Sequence, residues 1–379
     1  MHIVVVPDSF KECLSATKVA KAISEGIRLV VPDAEITSIP FSDGGEGLVE
    51  ALISATNGKL IKTPSVDALN QPIQSFYGML GDGKTAVIEM AAASGLELIP
   101  PVQRDPLTAS TYGTGLLLKA AIEAGYTQIV IGIGGSATND GGAGMAQALG
   151  FKLLDLHGNP IGFGGGLLGE LHSIDSSEVQ DQLRNVKIIV ACDVENPLLG
   201  TSGATRVYGP QKGATPEMLE TLEKNLTHFS QILQKEFGSN FAEIPGAGAA
   251  GGLGAGLMAF CNARIVSGFE LVNQLTNLEE QISKASLVFT AEGKIDSQTP
   301  YGKTVSGIAQ IAKKYQVPVI ALAGMVEGGL DLLHENGITA VFAIGDKPMS
   351  LKKSISCAAG LLTKATEQIM RTLQFFGRP

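Results

Sequence analysis

The chain is poor in the residues that most often announce chemistry. Its four cysteines, Cys13, Cys192, Cys261 and Cys357, lie far apart without Cys-x-x-Cys spacing. That argues against a disulfide framework or a zinc site, and for four reduced side chains acting as small hydrophobes. The five histidines are equally scattered, with no pair at the three- or four-residue spacing of helix-borne metal ligands. No Lys/Arg run could follow a phosphate backbone, and 28 basic against 37 acidic residues leave a formal charge of −9, so nucleic acid is not an expected partner. No stretch reaches the roughly 18 consecutive apolar residues of a spanning helix, and the opening MHIVVVPDSF has neither a basic n-region nor a long apolar core. A cytoplasmic protein with no membrane partner is expected.

Glycine is abundant instead. There are 47 among 379 residues, well above the usual share of about 7%, yet with no Gly-X-Y period and no Ser/Gln/Pro bias. Many tight turns and close backbone approaches follow. The length favours more than one core. IVVVPDS, SATKVAKAISEGIRLVV, EITSIPFS and EGLVEALISATNG open the chain as βαβα, with Ser15 expected to cap the first helix. The last third alternates likewise, through SLVFTAEGKID, VSGIAQIAKKY, VPVIALAGMV and ITAVFAIGD to a closing helix. Alternation of this kind predicts a parallel sheet covered on both faces. The middle differs, with short strands, GLLLKAAIEAGYTQIVIGIGG, VKIIVACD and several glycine-rich loops. We therefore expect residues 1–60 and 271–379 to form one α/β domain, and residues 61–270 a second α/β domain inserted into it.

In open α/β sheets, ligands lie beyond the carboxyl ends of the strands. PDSFK, FSDGGEG, TAEGKID, CDVENP and GIGGSATNDGG all follow predicted strands. The last begins GIGGSATNDGGAG (132–144), where six glycines accompany Ser136, Thr138, Asn139 and Asp140; a strand–loop–helix junction of this kind suits an anion such as phosphate. Asp140 reads equally as a helix N-cap. GIGGSA and GAGAAG (246–251) match dinucleotide fingerprints, but the second follows a segment broken by Pro245 and the first lacks the acidic residue that would hold a ribose. SQTPYGKT (297–304) resembles a P-loop interrupted by Pro300; it reads as a helix start whose Lys303 is either solvated or reaches a phosphate. Asp8, Asp43, Glu46, Asp193, Glu292 and Asp296 stand at strand ends, with Lys11, Lys212 and Lys294 close by or in a glycine loop. Each alone is as well explained by a cap or an ion pair. Together they describe a polyanion site of the kind phosphoryl transfer needs.

Taken together, PDSFKECLSA, FSDGGEG, GIGGSATNDGGAG, ACDVENPLLG, GPQKGA, PGAGAAGGLGAGL and AEGKIDSQTPYGKT resemble the glycerate kinase type-1 family, in family order and over essentially the whole chain. The resemblance implies a flavodoxin-like domain interrupted by a second domain with a restriction-endonuclease-like core. It also implies ATP-dependent phosphorylation of D-glycerate, with 2-phosphoglycerate favoured over 3-phosphoglycerate as product, and Mg²⁺ as cofactor. A homodimer is compatible with it. On this reading Gly134, Gly135, Ser136, Thr138, Asn139, Asp140, Gly141, Gly142 and Lys212 hold the nucleotide phosphates. Asp193 or Asp296 accepts the hydroxyl proton or holds Mg²⁺, and Lys11 with Lys294 offsets developing charge. Asp8, Ser9, Lys11, Asp43, Gly44, Gly45 and Glu46 are candidates for holding glycerate, with direct in-line transfer in a cleft between the domains. Three departures stand out: Glu12-Cys13 for the usual Gly-Ser, Phe41-Ser42 for Leu-Ala or Met-Ala, and Ala291 for Gly. A methyl at Ala291 in a phosphate loop would block an approach or a positive φ, which keeps open a non-catalytic sensor on the same scaffold. A nicotinamide dehydrogenase is the more distant alternative.

Overall fold

The structure is a computed structural model. It describes residues 1–376 apart from 43, 44, 46, 180, 298, 300–302 and 329, with only the backbone of 182, 303 and 376. In chain order the strands are β1 (His2–Pro7), β2 (Glu35–Ser38), β3 (Lys59–Val66), β4 (Pro72–Met79), β5 (Thr85–Glu89), β6 (Gln128–Gly132), β7 (Lys152–Leu154), β8 (Ser173–Asp175), β9 (Lys187–Ala191), β10 (Arg264–Val266), β11 (Leu287–Ile295), β12 (Val319–Val326) and β13 (Ala340–Ala343). The chain divides into two compact units, one of residues 1–43, 50–57 and 269–379, the other of 44–49 and 58–268.

The first unit holds a five-stranded sheet, β13-β12-β11-β1-β2, in which every pairing is parallel. Numbered along the chain, its strands therefore lie in the order 2-1-3-4-5, and the direction of winding reverses between β1 and β11. The central strands are apolar runs because helices cover both faces; five of the six residues of β1 are buried. Helix Ala16–Arg28 turns Val19, Ala20, Ile23 and Ile27 to the core and lies against the closing helix Leu351–Phe376. A Cβ at Gly26 would meet the Thr363 carbonyl oxygen at 2.5 Å, so glycine sets how closely these helices approach. Ser15 occupies the cap position but makes no capping bond. Its hydroxyl donates instead to Glu50 at 3.2 Å, a partner that local sequence could not reveal.

The second unit holds a six-stranded mixed sheet, β10-β9-β6-β5-β4-β3. The β5-β6-β9-β10 part is parallel and the hairpins to β4 and β3 are antiparallel. Its core gathers Ile88, Ile131, Val190, Leu226, Phe229 and Leu253. Helix Pro216–Phe237 starts with the Thr215 hydroxyl accepting from the Met218 N–H and Pro216 in the first turn, and stops at Gly238 in the left-handed region. Among the described residues, no helix is long and apolar enough to cross a membrane.

Candidate active site

The glycine loop of the second unit is built outward from β6. Gly135 takes φ +75, Gly141 +63 and Gly142 +82, conformations open to glycine at little cost. The loop has two halves of different character. Gly134 is half-buried and Gly135 exposed, whereas residues 136–142 are buried. Asp140 is fully buried and accepts from the N–H and hydroxyl of Thr111 (2.8 and 2.9 Å), from Gly142 N–H and from Gly144 N–H (3.2 Å each). Burial still pushes its carboxyl above the usual range, against those four donors. The Gly141 N–H goes to the Gly251 carbonyl (3.0 Å), Ala143 N–H to the Asp140 carbonyl (2.9 Å) and Met145 N–H to the Thr111 hydroxyl (2.9 Å). Asn139 donates its amide to the Thr205 hydroxyl at 3.0 Å. Among the described residues, the N–H groups of Gly134, Gly135 and Ser136 have no protein acceptor. Backbone donors for an anion therefore lie at 134–136, while 140–145 hold the loop in shape. The helix that follows, Ala143–Ala148, has only six residues, so its dipole adds little.

Lys212, expected beside a phosphate, lies inside the unit. It is 1% exposed and its ammonium donates to the Thr138 carbonyl at 2.7 Å. Burial lowers it to about 7, with the Asp140 carboxylate pulling it back up. GAGAAG is no dinucleotide loop: Ala250, Gly251 and Gly252 form a left-handed turn (φ +54, +67 and +90) inside the helical segment Ala249–Cys261, and a Cβ at Gly251 would run into the Thr138 carbonyl oxygen. Asp193 follows β9 and accepts from the Ser267 hydroxyl at 2.9 Å.

Two residues that the motifs did not single out join this loop. Glu89 ends β5 beside Gly132, is buried, and accepts from the Val49 N–H at 2.6 Å. It thereby ties the segment after SDGGEG to the sheet. Thr111 links Asp140 to Met145. A lone acid closing the apolar run TAVIE was the signal for Glu89; nothing local marks Thr111.

The polar cluster of the first unit gathers at the carboxyl ends of β1 and β11, where the winding reverses. β11 continues through Glu292–Ile295 in register with β12, so AEGKI is strand where a loop is predicted. Ala291 consequently sits between Pro7 and Leu322 in regular parallel register, fully buried and with no positive φ. Its methyl fills core and obstructs no phosphate loop. Glu12 is the departure that meets strain: it adopts φ +58, where glycine is free and a side chain is not. Phe41 is buried with its ring 5.3 Å from that of Phe269.

Asp8 accepts from the Ser9 N–H at 2.6 Å and its own N–H bonds the Ala291 carbonyl. Lys11 is exposed. Lys294 spans Asp296 (3.2 Å) and Glu327 (2.7 Å), which raise it above the ordinary lysine range, Glu327 more than Asp296. Asp296 closes a turn, its N–H donating to the Thr299 hydroxyl at 3.1 Å. Glu292 is pushed up to about 7, chiefly by burial and then by Asp8 and Asp296, while Lys11 and a hydrogen bond with Thr299 act the other way. Sequence reasoning placed Glu292 among the strand-end acids without a role. Asp43, Gly44 and Glu46 lie outside the described residues, as do residues 300–302 and the Lys303 side chain; Gly45 is half-buried. Among the described residues, no three His, Cys, Asp or Glu side chains converge as a metal site.

Residues 3–374 match the model of the glycerate kinase family. The chain is 50% identical over 373 residues to glycerate 2-kinase of Escherichia coli (strain K12), covering 98% of each chain. It is 49% identical over 374 residues to glycerate kinase of Bacillus subtilis (strain 168), covering 99% of this chain and 98% of that one. A crystal structure of a candidate glycerate kinase 2 from Salmonella typhimurium LT2 superposes with a TM-score of 0.90 at 46% identity, over 100% of this chain and 99% of that one. The chain belongs to the glycerate kinase family.

Proposed function

We propose that this kinase transfers the γ-phosphoryl group of ATP directly to the 2-hydroxyl of D-glycerate, with nucleotide phosphates on the glycine loop and glycerate on the strand-end cluster of β1 and β11. The observation that carries it is the Glu292 environment, a half-buried carboxyl near neutral titration beside Asp8, Lys11 and Asp296. A base works best when its pKa lies near the working pH, so Glu292 is suited to take the hydroxyl proton, a role Asp296 or Asp193 was expected to fill. Lys11, exposed and next to this group, suits the carboxylate of glycerate or the charge developing on the transferred group. The 2-hydroxyl is favoured by the 50% identity to a protein named glycerate 2-kinase.

The finer fold assignment belongs to the same reading. The all-parallel order 2-1-3-4-5 is that of flavodoxin-like sheets, whose ligands sit where the winding reverses, and this supports a flavodoxin-like first unit. A restriction-endonuclease-like core for the second rests on the family resemblance. Mg²⁺ is usually held by one or two carboxylates together with phosphate oxygens, which fits a protein whose described acids form no metal cage of their own. Asp296 or Asp193 would hold it, and when bound it would offset phosphate charge. The sensor alternative loses its support with Ala291 in the core, and the dehydrogenase alternative with GAGAAG as a packing turn. A cytoplasmic location goes with this reading, and sedimentation of the purified chain distinguishes a monomer from the compatible homodimer.

Incubation with ATP, Mg²⁺ and D-glycerate, followed by phosphorus NMR, tests the proposal. A 2-phosphoglycerate resonance is expected. The 3-phospho isomer would overturn the regiochemistry, and ATP consumption only with another hydroxy acid would overturn the substrate.

A further inference from the structure

Lys212 ends the short turn Pro210–Lys212, and the chain leaves it through Gly213 at φ +95. A Cβ there would lie 2.5 Å from the Arg104 carbonyl oxygen, so only glycine lets the backbone turn this tightly against its neighbour. The lysine side chain is thereby committed to the interior. Among the described residues its acceptor is the carbonyl of Thr138, 74 residues away in sequence. An ammonium removed from water loses solvation that a single carbonyl does not fully replace, and such a residue is a poor choice if packing were its only task.

The same Thr138 peptide is gripped from a second side. The left-handed turn 250–252 presses Gly251 against the Thr138 carbonyl, and the Gly251 carbonyl accepts from the Gly141 N–H at 3.0 Å. One member of that turn, Ala250, holds φ +54 without being glycine, a conformation that persists only where its surroundings over-determine it. Strain and a buried charge thus meet on one peptide. On the chain's other side, two residues back, lie the N–H groups of 134–136 that have no protein acceptor among the described residues.

We propose that Lys212 is a positioning residue for the nucleotide: by holding the Thr138 carbonyl it sets the direction of the 134–136 N–H groups toward polyphosphate, and it touches no phosphate itself. The proposal rests on the glycine loop being the nucleotide loop. It differs from direct contact in what the nucleotide can sense. A lysine touching the terminal phosphate discriminates ATP from ADP, whereas a lysine that shapes the loop affects both alike.

The experiment is titration calorimetry of the full chain with ATP and with ADP, for wild type, K212M and G135A, alongside steady-state kinetics. For K212M, which keeps most of the stem but loses the donor, both dissociation constants should rise by the same factor, about tenfold or more for a lost charge-assisted bond. KM for ATP should rise with them, and KM for glycerate should stay at the wild-type value. Weakening of ATP alone would overturn the proposal in favour of direct contact. Unchanged affinities in a K212M protein that melts earlier would also overturn it, reducing Lys212 to a structural role. Should K212M not fold, K212Q, a shorter neutral donor, carries the same comparison. Gly135→Ala strains the loop itself at φ +75. If it weakens both nucleotides while the Lys212 variants do not, the nucleotide loop stands and the role of Lys212 falls; if neither weakens them, the loop reading falls with it.

Discussion

The glycine loop of one unit and the acidic cluster of the other solve opposite problems. In the loop, most polar groups are tied up internally: Asp140 takes four donors and Lys212 donates to a carbonyl, while among the described residues the N–H groups at its start and the buried Thr138 hydroxyl and Asn139 amide oxygen have no hydrogen-bond partner. In the cluster at the ends of β1 and β11, burial and then the neighbouring acids Asp8 and Asp296 act on Glu292, whose carboxyl is raised to about 7. Dense internal bonding gives rigidity, which suits a loop that must not reorganise when charge arrives. Incomplete compensation leaves a group that can change protonation, which suits chemistry.

The sharpest way to break this contrast is to add one methyl to the cradle. Gly251→Ala would place a Cβ into the Thr138 carbonyl at φ +67, and overpacking together with left-handed strain should cost about 3 kcal/mol or more. Chemical denaturation reads this directly; a loss below about 1 kcal/mol would mean the loop is softer than its packing implies. The acidic cluster should answer differently. Glu292→Gln should lower kcat by roughly 10² or more while the unfolding midpoint stays within a few degrees of wild type.

The pH dependence sharpens the same distinction. If Glu292 must be ionised to accept the proton, kcat/KM of the wild type should rise with pH and level off above about 7. Because the native carboxyl holds its proton more tightly than the unfolded one, its contribution to stability is fully present below the ordinary carboxyl range and lost as pH rises through about 7. Lys212 works in the opposite sense. Its proton is held less tightly in the native state, so stability should rise with pH from about 7 toward the ordinary lysine value. Thermal melts of E292Q and K212M should each lose one of these slopes; retention of both would separate the shifts from these residues. The smallest effect lies outside both regions: Glu12→Gly, which relieves φ +58, should stabilise the chain by about 1 kcal/mol, seen as a later denaturation midpoint.

Much of the architecture could be read along the chain because strand and helix periods are local. The alternation of IVVVP, helix and EITS follows from backbone preference and apolar spacing. Candidate acids and lysines were legible as residue types at strand ends. Their division of labour was not. Local sequence could not show that AEGKI would continue as strand, because its pairing partner is β12, some thirty residues on. Nor could it show that Ser15 would turn to Glu50, or that Thr111 would occupy the Asp140 carboxylate.

The order of elements, the glycine-rich turns and the presence of phosphate-suited chemistry were thus determined by sequence alone, since each depends on neighbours within a few residues. Which part of the 132–144 loop keeps N–H groups without a protein acceptor among the described residues, and that Lys212 is buried against the Thr138 carbonyl, was decided by tertiary structure. Burial and hydrogen-bond partners are set by segments tens of residues apart, and those are what turn a polar side chain into either a ligand or a strut.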